Sequence, residues 1–312
     1  MSALPTTARL PADAPPEAQA LEPRWLEVSS MSFGWRVGLW AALIAAGAWL
    51  STLGPWWVQA VGIVLLGAAM AHGVELSHQA LHHTGFESRR LNEVLGVAMG
   101  LPMLVSFYEY RINHLKHHAL LGTPENKEFF DYGDETWTLK GLALRFFMLR
   151  HYLSFTGRLA KAMAGRTVGD YHPRYQRQVQ SFYWISAAAL LALAAWCWAV
   201  GSALPLVVWL VSLLLVASPI HALIEMPEHF GCNPQSTSAF DNTRTIRSNA
   251  FMRWFTNSNN FHVEHHLWPN VPLQRVHELH ERCQSWSHHF NPGYRQFYSQ
   301  AWSAGRGGKE SA

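Results

Sequence analysis

The chain has 312 residues, with 24 Lys and Arg against 21 Asp and Glu, a formal charge of +3 and 18 histidines. No stripe of basic residues with interleaved aromatics accompanies that small excess, so the sequence gives no support for nucleic-acid binding. Cys197, Cys232 and Cys283 are too far apart in sequence to encode a thiolate zinc site or a cysteine-bound iron–sulfur cluster.

Residues 1–30 are expected to be a disordered tail, since Leu4 to Glu22 is rich in Pro and Ala and lacks the apolar core of a cleavable signal. The tract from Gly34 to Leu76 is twice the roughly 20 residues needed to cross a bilayer's hydrocarbon core. Gly54-Pro55 breaks it near its middle, which predicts crossings over about 34–53 and 56–76. Residues Val94 to Phe107 are apolar but short, with Gly96, Gly100 and Pro102 inside, and suit an interfacial helix. From Leu142 to Ala164 apolar residues mix with Arg145, Arg150, Arg158 and Lys161, the pattern of a helix lying in the headgroup plane.

A second long tract, Ser181 to Glu225, is broken at Gly201-Ser202 and Pro205 and predicts crossings over about 181–200 and 204–225. After Pro269, the spacing of Val276, Leu279 and Cys283 predicts one more helix, with His277 and His280 on its surface. The domain plan is therefore a membrane domain over 31–290, followed by a C-terminal tail over 291–312. No Lys or Arg lies between Arg36 and Arg89 or between Arg177 and Arg244. The positive-inside bias then places both termini and the middle segment in the cytoplasm. The fold class that follows is an all-α integral membrane protein, four transmembrane helices in two hairpins beneath a helical cytoplasmic cap.

Three histidine clusters flank the apolar tracts: His78-Gln-Ala-Leu-His82-His83, His114-Leu-Lys-His117-His118 and His262-Val-Glu-His265-His266. A random chain with this histidine content would carry H-x-x-H-H about 0.06 times, and it occurs here twice. On an α-helix His114, His117 and His118 share a face about 100° wide, as do His262, His265 and His266, whereas His83 lies about 140° from His78. Imidazole alone does not choose between iron, zinc, copper and nickel. The number of aligned rings exceeds the three or four one zinc takes and points to two metal ions.

The boxes, their order relative to the two apolar tracts, and the strings Arg111-Ile-Asn-His114, Gly122-Thr-Pro, Glu228-His229-Phe-Gly231, Asn242-Thr-Arg244-Thr and Asn260-Phe-His262 through Pro269 resemble the membrane fatty acid desaturase family. The resemblance covers roughly residues 34 to 285. It implies a non-haem pair of iron ions held by histidines, with O₂ as co-substrate and electrons from a donor, removing hydrogen from an unactivated methylene. The implied ligands are His78, His82, His83, His114, His117, His118, His229, His262, His265 and His266. His221 is an alternative to His229. Glu225 stands where the animal acyl-CoA branch has an Asn that reaches a metal through water. Glu75 and Glu264 are candidates to orient imidazole N–H groups.

The leading expectation is an acyl-chain desaturase acting on a lipid or acyl carrier. A hydroxylase or ketolase of an alkyl chain, carotenoid or specialised metabolite is the alternative on the same site. A metal transporter is the competing class, but transport sites lie near the bilayer midplane and these clusters fall outside the apolar tracts. The sequence holds no His-Pro-Gly-Gly haem signature and no Gly-rich nucleotide loop. A separate ferredoxin, flavoprotein or cytochrome b5-like donor is therefore expected, with Arg244, Arg247 and Arg253 as its docking surface.

Overall fold

Apolar runs of 20 or more residues cannot leave backbone groups unpaired in lipid, so each must close its hydrogen bonds internally as a helix. The computed structural model describes residues 21–127, 129–130 and 144–307; the expected disorder of the N-terminal tail falls largely outside them. Four helices are long and apolar enough to cross a membrane, Pro23–Leu50, Trp56–Leu81, Pro173–Ala199 and Leu204–Glu228. Among the described residues the only strands are a parallel pair of two residues each, β1 (Thr245–Ile246) and β2 (Phe290–Asn291).

The chain divides into two compact units. One, the membrane unit, comprises Ser29–Ile112 and Leu139–Ala222; the other, the histidine unit, comprises the described residues of Met1–Val28, Asn113–Thr138 and Leu223–Ala312.

In the membrane unit, helix α1 (Ser30–Leu50) starts where the Ser29 hydroxyl accepts from the Ser32 N–H, an N-cap that satisfies one free donor of the first turn. It packs on α2 (Trp56–Leu81), which begins directly after Pro55. Helix α3 (Arg89–Gly100) follows, capped by Ser88. A short 3₁₀ turn and the left-handed Leu104 then bend the chain by 101° into α4 (Phe107–Ala119). Helix α5 (Leu149–Met163) exposes Leu153 and Met163 beside Arg150 and Lys161, the amphipathic pattern expected for this stretch. Helix α6 (Pro173–Ala199) carries Pro at its first position, where the missing N–H costs nothing. Exposed Trp49, Trp56, Trp57, Trp196 and Trp198 gather at the ends of α1, α2 and α6, as interfacial tryptophans do.

The fourth apolar segment is not one regular helix. It runs as α7 (Leu204–Val211), a π-helical stretch Ser212–Ala217, and α8 (Ser218–Glu225). Pro219 explains this: its ring has no N–H for the carbonyl four residues back and clashes with it, so the preceding turn widens. The Ser218 hydroxyl donates to the Leu213 carbonyl at 2.7 Å, the same carbonyl that receives the Ser218 N–H. Against the π stretch lies Gly67, where a Cβ would stand 2.5 Å from Val216 Cβ and 2.7 Å from the Ser212 carbonyl oxygen. Only glycine admits that approach. Within this unit an apolar cavity of about 300 Å³ is lined by Ile44, Leu66, Met70, Leu193, Trp196 and Trp209 among others.

The histidine unit is built from short elements. Helix α9 (Ala250–Phe255) precedes α10 (His262–Leu267), and α10 and the 3₁₀ turns over Leu273–Leu279 contribute to a core of Phe240, Phe261, Val263, Trp268, Val276 and Cys283, with Leu21 and Trp25 packed on it. Where one regular helix was expected after Pro269, the chain forms 3₁₀ turns and the single turn His280–Cys283. His280, expected on the surface, is buried. Residues beyond 290 include α11 (Tyr294–Gly307), which buries Phe297 and whose Tyr298 hydroxyl donates to the Leu223 carbonyl at 2.6 Å.

Candidate metal centre

The second box lies on the last turns of α4 and the third box forms most of α10, so spacing of three and four residues turns each set of rings to one side. In the histidine unit, four Nε2 atoms close a ring: His117 to His229 at 3.1 Å, His229 to His262 at 3.1 Å, His262 to His266 at 3.1 Å and His266 to His117 at 3.3 Å. Three more form a triangle, His114 to His118 at 2.9 Å, His118 to His265 at 3.0 Å and His114 to His265 at 3.3 Å. All of these rings except His229 are buried.

The other ring nitrogen decides what those Nε2 atoms are. His117 Nδ1 faces Asn126 Oδ1 at 2.8 Å, and His229 Nδ1 faces the Asn242 carbonyl at 2.8 Å. His262 Nδ1 faces Asn259 Oδ1 at 3.2 Å and Glu228 Oε2 at 3.3 Å, while Asn259 Nδ2 donates to Glu228 Oε1. Carbonyl and carboxylate oxygens only accept, so each of these imidazoles holds its proton on Nδ1 and presents a lone pair at Nε2. Lone pairs aimed at one another at 3.1–3.3 Å repel unless a cation sits among them. Metal–nitrogen bonds of about 2.0–2.1 Å give nitrogen–nitrogen edges of about 2.9 Å at right angles and about 3.3 Å in a tetrahedron. The observed spacings fall in that interval, so the residues fit a metal ion. Burial, and then crowding by His262, His117, His229 and His265, holds His266 well below the ordinary histidine range, which keeps its ring neutral.

The remaining expected residues are placed as follows. In the membrane unit His78 is buried on α2, with its ring centroid 5.4 Å from that of His82, which ends the helix. His83 has left-handed backbone, and its Nε2 stands 3.8 Å from Glu93 Oε1. Burial, then Arg111 and Arg89, lowers its pKa to about 4. Glu75 is buried with an oxygen 3.8 Å from His221 Nδ1, and Glu225 is buried at the end of α8.

Glu264 faces away from its own box. It accepts from Thr245 Oγ1 at 2.6 Å and from Cys283 Sγ at 3.7 Å, and it pairs with His280 Nδ1. The expected role of Arg244 as a surface contact is corrected: its guanidinium is turned into the chain, onto the Phe230 carbonyl at 2.8 Å and Asn291 Oδ1 at 3.1 Å. Sequence reading missed Asn126, Asn259 and Glu228 as orienting groups. Glu228 and Asn259 lie beside quoted strings, whereas Asn126 follows its histidine by nine residues on a turn and carries no spacing signal. Gly122 of the Gly-Thr-Pro string has φ +80°, and a Cβ there would meet the Ser236 backbone at 2.5 Å, so this turn requires glycine.

A family model described as fatty acid desaturase matches residues 54–298. Among curated proteins, the acyl-lipid (9-3)-desaturase of Physcomitrium patens is 25% identical over 282 residues, covering 80% of this chain and 51% of that enzyme. The dihydrorhizobitoxine desaturase of Bradyrhizobium elkanii is 25% identical over 281 residues, covering 81% of this chain and 74% of that enzyme. The sn-1 oleoyl-lipid 12-desaturase of Anabaena variabilis is 24% identical over 76 residues, 24% of this chain and 22% of that enzyme. The matched region thus spans about half the length of the moss relative.

Proposed function

For this chain, which belongs to the fatty acid desaturase family, we propose an O₂-dependent membrane oxidoreductase that introduces a double bond into a fatty acyl chain. The observation that carries the reading is the ring of four Nε2 lone pairs, three of them fixed by acceptors on Nδ1. Two iron ions held by imidazoles would supply, with O₂ and external electrons, the power to break an unactivated C–H bond, which acid–base side chains lack.

In this reading His117, His229, His262 and His266 hold one ion, and His114, His118 and His265 contribute to the second. His78 and His82 complete the set on the strength of their box and the family resemblance. Asn126, Asn259, Glu228 and the Asn242 carbonyl hold the ligand tautomers and ring directions. Glu75 and Glu225 are proposed to act behind the ligands, and His83 as a ligand rests on the resemblance alone. The apolar cavity of the membrane unit supports an alkyl substrate, because its walls offer dispersion contact and few hydrogen-bonding groups. The histidine sites and both termini are assigned to the cytoplasmic side by the basic-residue bias, and electrons to a donor outside these 312 residues.

Expression in a host of known lipid composition, followed by mass spectrometry of its lipids, tests the reaction. A new lipid lacking two hydrogens is the expected result. A product that has gained an oxygen atom would assign the chain to hydroxylation. Iron counted after anaerobic purification tests the centre: about two ions per chain are expected, and a protein without iron would overturn the assignment.

A further inference from the structure

His229 belongs to no box and to no helix. It follows the 3₁₀ turn Met226–Glu228, has φ −121° and ψ −9°, and is followed by Gly231 at φ +69°. A ligand on α10 takes its direction from the helix, whereas a ligand on an irregular loop must be held by something else.

What holds this loop is Arg244. Its backbone N–H donates to the Glu228 carbonyl at 2.8 Å. Its Nε donates to the Pro227 carbonyl at 3.3 Å, and its Nη2 to the Phe230 carbonyl at 2.8 Å and toward Cys232 Sγ at 3.7 Å. One side chain therefore takes the carbonyls at 227 and 230 while its own backbone takes the one at 228, bracketing His229. The guanidinium is anchored in turn by Asn291 Oδ1 at 3.1 Å and lies 4.9 Å from the centre of the Phe297 ring. Two residues earlier the Asn242 carbonyl accepts the His229 Nδ1 proton. In the next two residues Thr245 Oγ1 donates to Glu264 Oε2, and the Ile246 N–H donates to the Asn260 carbonyl at 2.7 Å. Residues 242–246 thus grip the His229 loop at one end and the third box at the other.

We propose that Arg244 is a positioning residue that fixes His229 against His262 and the third box, so that the four-nitrogen site forms. The inference rests on the reading of His229 as a metal ligand. Arginine is required because its planar fork reaches two carbonyls three residues apart at once, and an ammonium offers only a point charge at the end of a flexible stem. Arg244 touches neither metal nor substrate and acts through His229.

The test is a cobalt(II) titration of the full-length, metal-free chain in detergent, read by visible absorption, together with iron content after anaerobic loading. The wild type is expected to take two ions. Arg244→Lys should weaken one site by about tenfold and leave the other unchanged, a loss of the size seen when groups orienting metal ligands are removed. Asn291→Ala, which frees one end of the guanidinium, should weaken the same site to a smaller extent.

The double variant Arg244→Lys with His229→Ala should bind cobalt no worse than His229→Ala alone, since removing the ligand leaves nothing to position. Unchanged affinity at both sites in Arg244→Lys and Asn291→Ala would overturn the proposal. So would a double variant that loses the second ion too, which would mark Arg244 as a general prop of the fold. A wild-type chain that binds no cobalt or iron would overturn the metal reading of His229 itself, an outcome separate from either.

Discussion

Glu109 in the membrane unit and Glu264 in the histidine unit are both completely buried, and the two are compensated in different ways. Glu109 in the membrane unit receives the Arg158 guanidinium at 3.0 Å, the Tyr171 hydroxyl at 3.0 Å and the Tyr183 hydroxyl. Glu264 in the histidine unit receives the Thr245 hydroxyl, the His280 imidazole and the Cys283 thiol. Glu109 is fully buried, but the Arg158 side chain keeps 36% exposure, so the pair leads one permanent charge back to water. Glu264 has instead a hydroxyl, an imidazole N–H, and a thiol whose pKa is pushed up by burial and then by Glu264 itself. The difference follows the work of each place. Glu109 ties α4, the Tyr171 loop, α5 and α6 together, and an ion pair suits helices that must register against one another. Glu264 lies between His262 and His265, proposed above as metal ligands, where a nearby permanent cation would oppose a bound metal ion.

The largest effect is expected from Glu109→Ala. It leaves the Arg158 charge without its partner and strips the acceptor from two phenols. Breaking a buried pair from one side costs about 3–5 kcal/mol, and the partial exposure of Arg158 puts the expected loss at about 3 kcal/mol. Thermal unfolding in detergent measures it. A midpoint within a degree or so of wild type would show that Arg158 relaxes into solvent and that the tie contributes little.

Glu264→Ala ranks second. It takes the acceptor from the Thr245 and His280 donors, while the Cys283 thiol keeps the Leu279 and His280 carbonyls; no permanent charge is left behind, and a buried donor that stays unsatisfied costs about 1–3 kcal/mol. The expected loss is about 2 kcal/mol, accompanied by weaker cobalt binding, because the residue sits between His262 and His265 of α10. Cobalt affinity equal to wild type would separate the carboxylate from the metal centre.

The legible part of this protein was what repeats locally. Apolar tracts with Gly-Pro and Gly-Ser breaks announced four membrane-length helices, and histidines at spacings of three and four announced faces of convergent rings. What stayed hidden depends on contacts distant in sequence. Pro219 lies inside an apolar run whose composition does not mark it as a break, and with it the π-helical turn it imposes stays hidden. His280 looked like a surface residue because its partner Glu264 lies sixteen positions away. Arg244 looked like a docking charge because the carbonyls it serves come from a loop fourteen to seventeen residues earlier. A basic residue in a polar stretch reads as solvated until the backbone that needs its donors is in view.

The smallest effect, and the one that sharpens the comparison most, is Glu264→Gln. An amide keeps one acceptor oxygen for the His280 N–H and places an NH₂ where the second carboxylate oxygen met Thr245. The Thr245 hydroxyl can rotate to accept from that NH₂, since a hydroxyl is both donor and acceptor. If His280 is neutral in the folded chain, every group keeps a partner and the loss should stay below about 1 kcal/mol. If His280 is an imidazolium, the substitution leaves a buried cation facing an amide, and the loss should approach that of Glu109→Ala, about 3 kcal/mol. Unfolding measured in parallel for Glu264→Gln and Glu109→Ala decides between them. A small loss at Glu264 beside a large one at Glu109 supports a charge-balanced tie in the membrane unit and a neutral, hydrogen-bonded hub behind the third box; equal losses would erase the distinction.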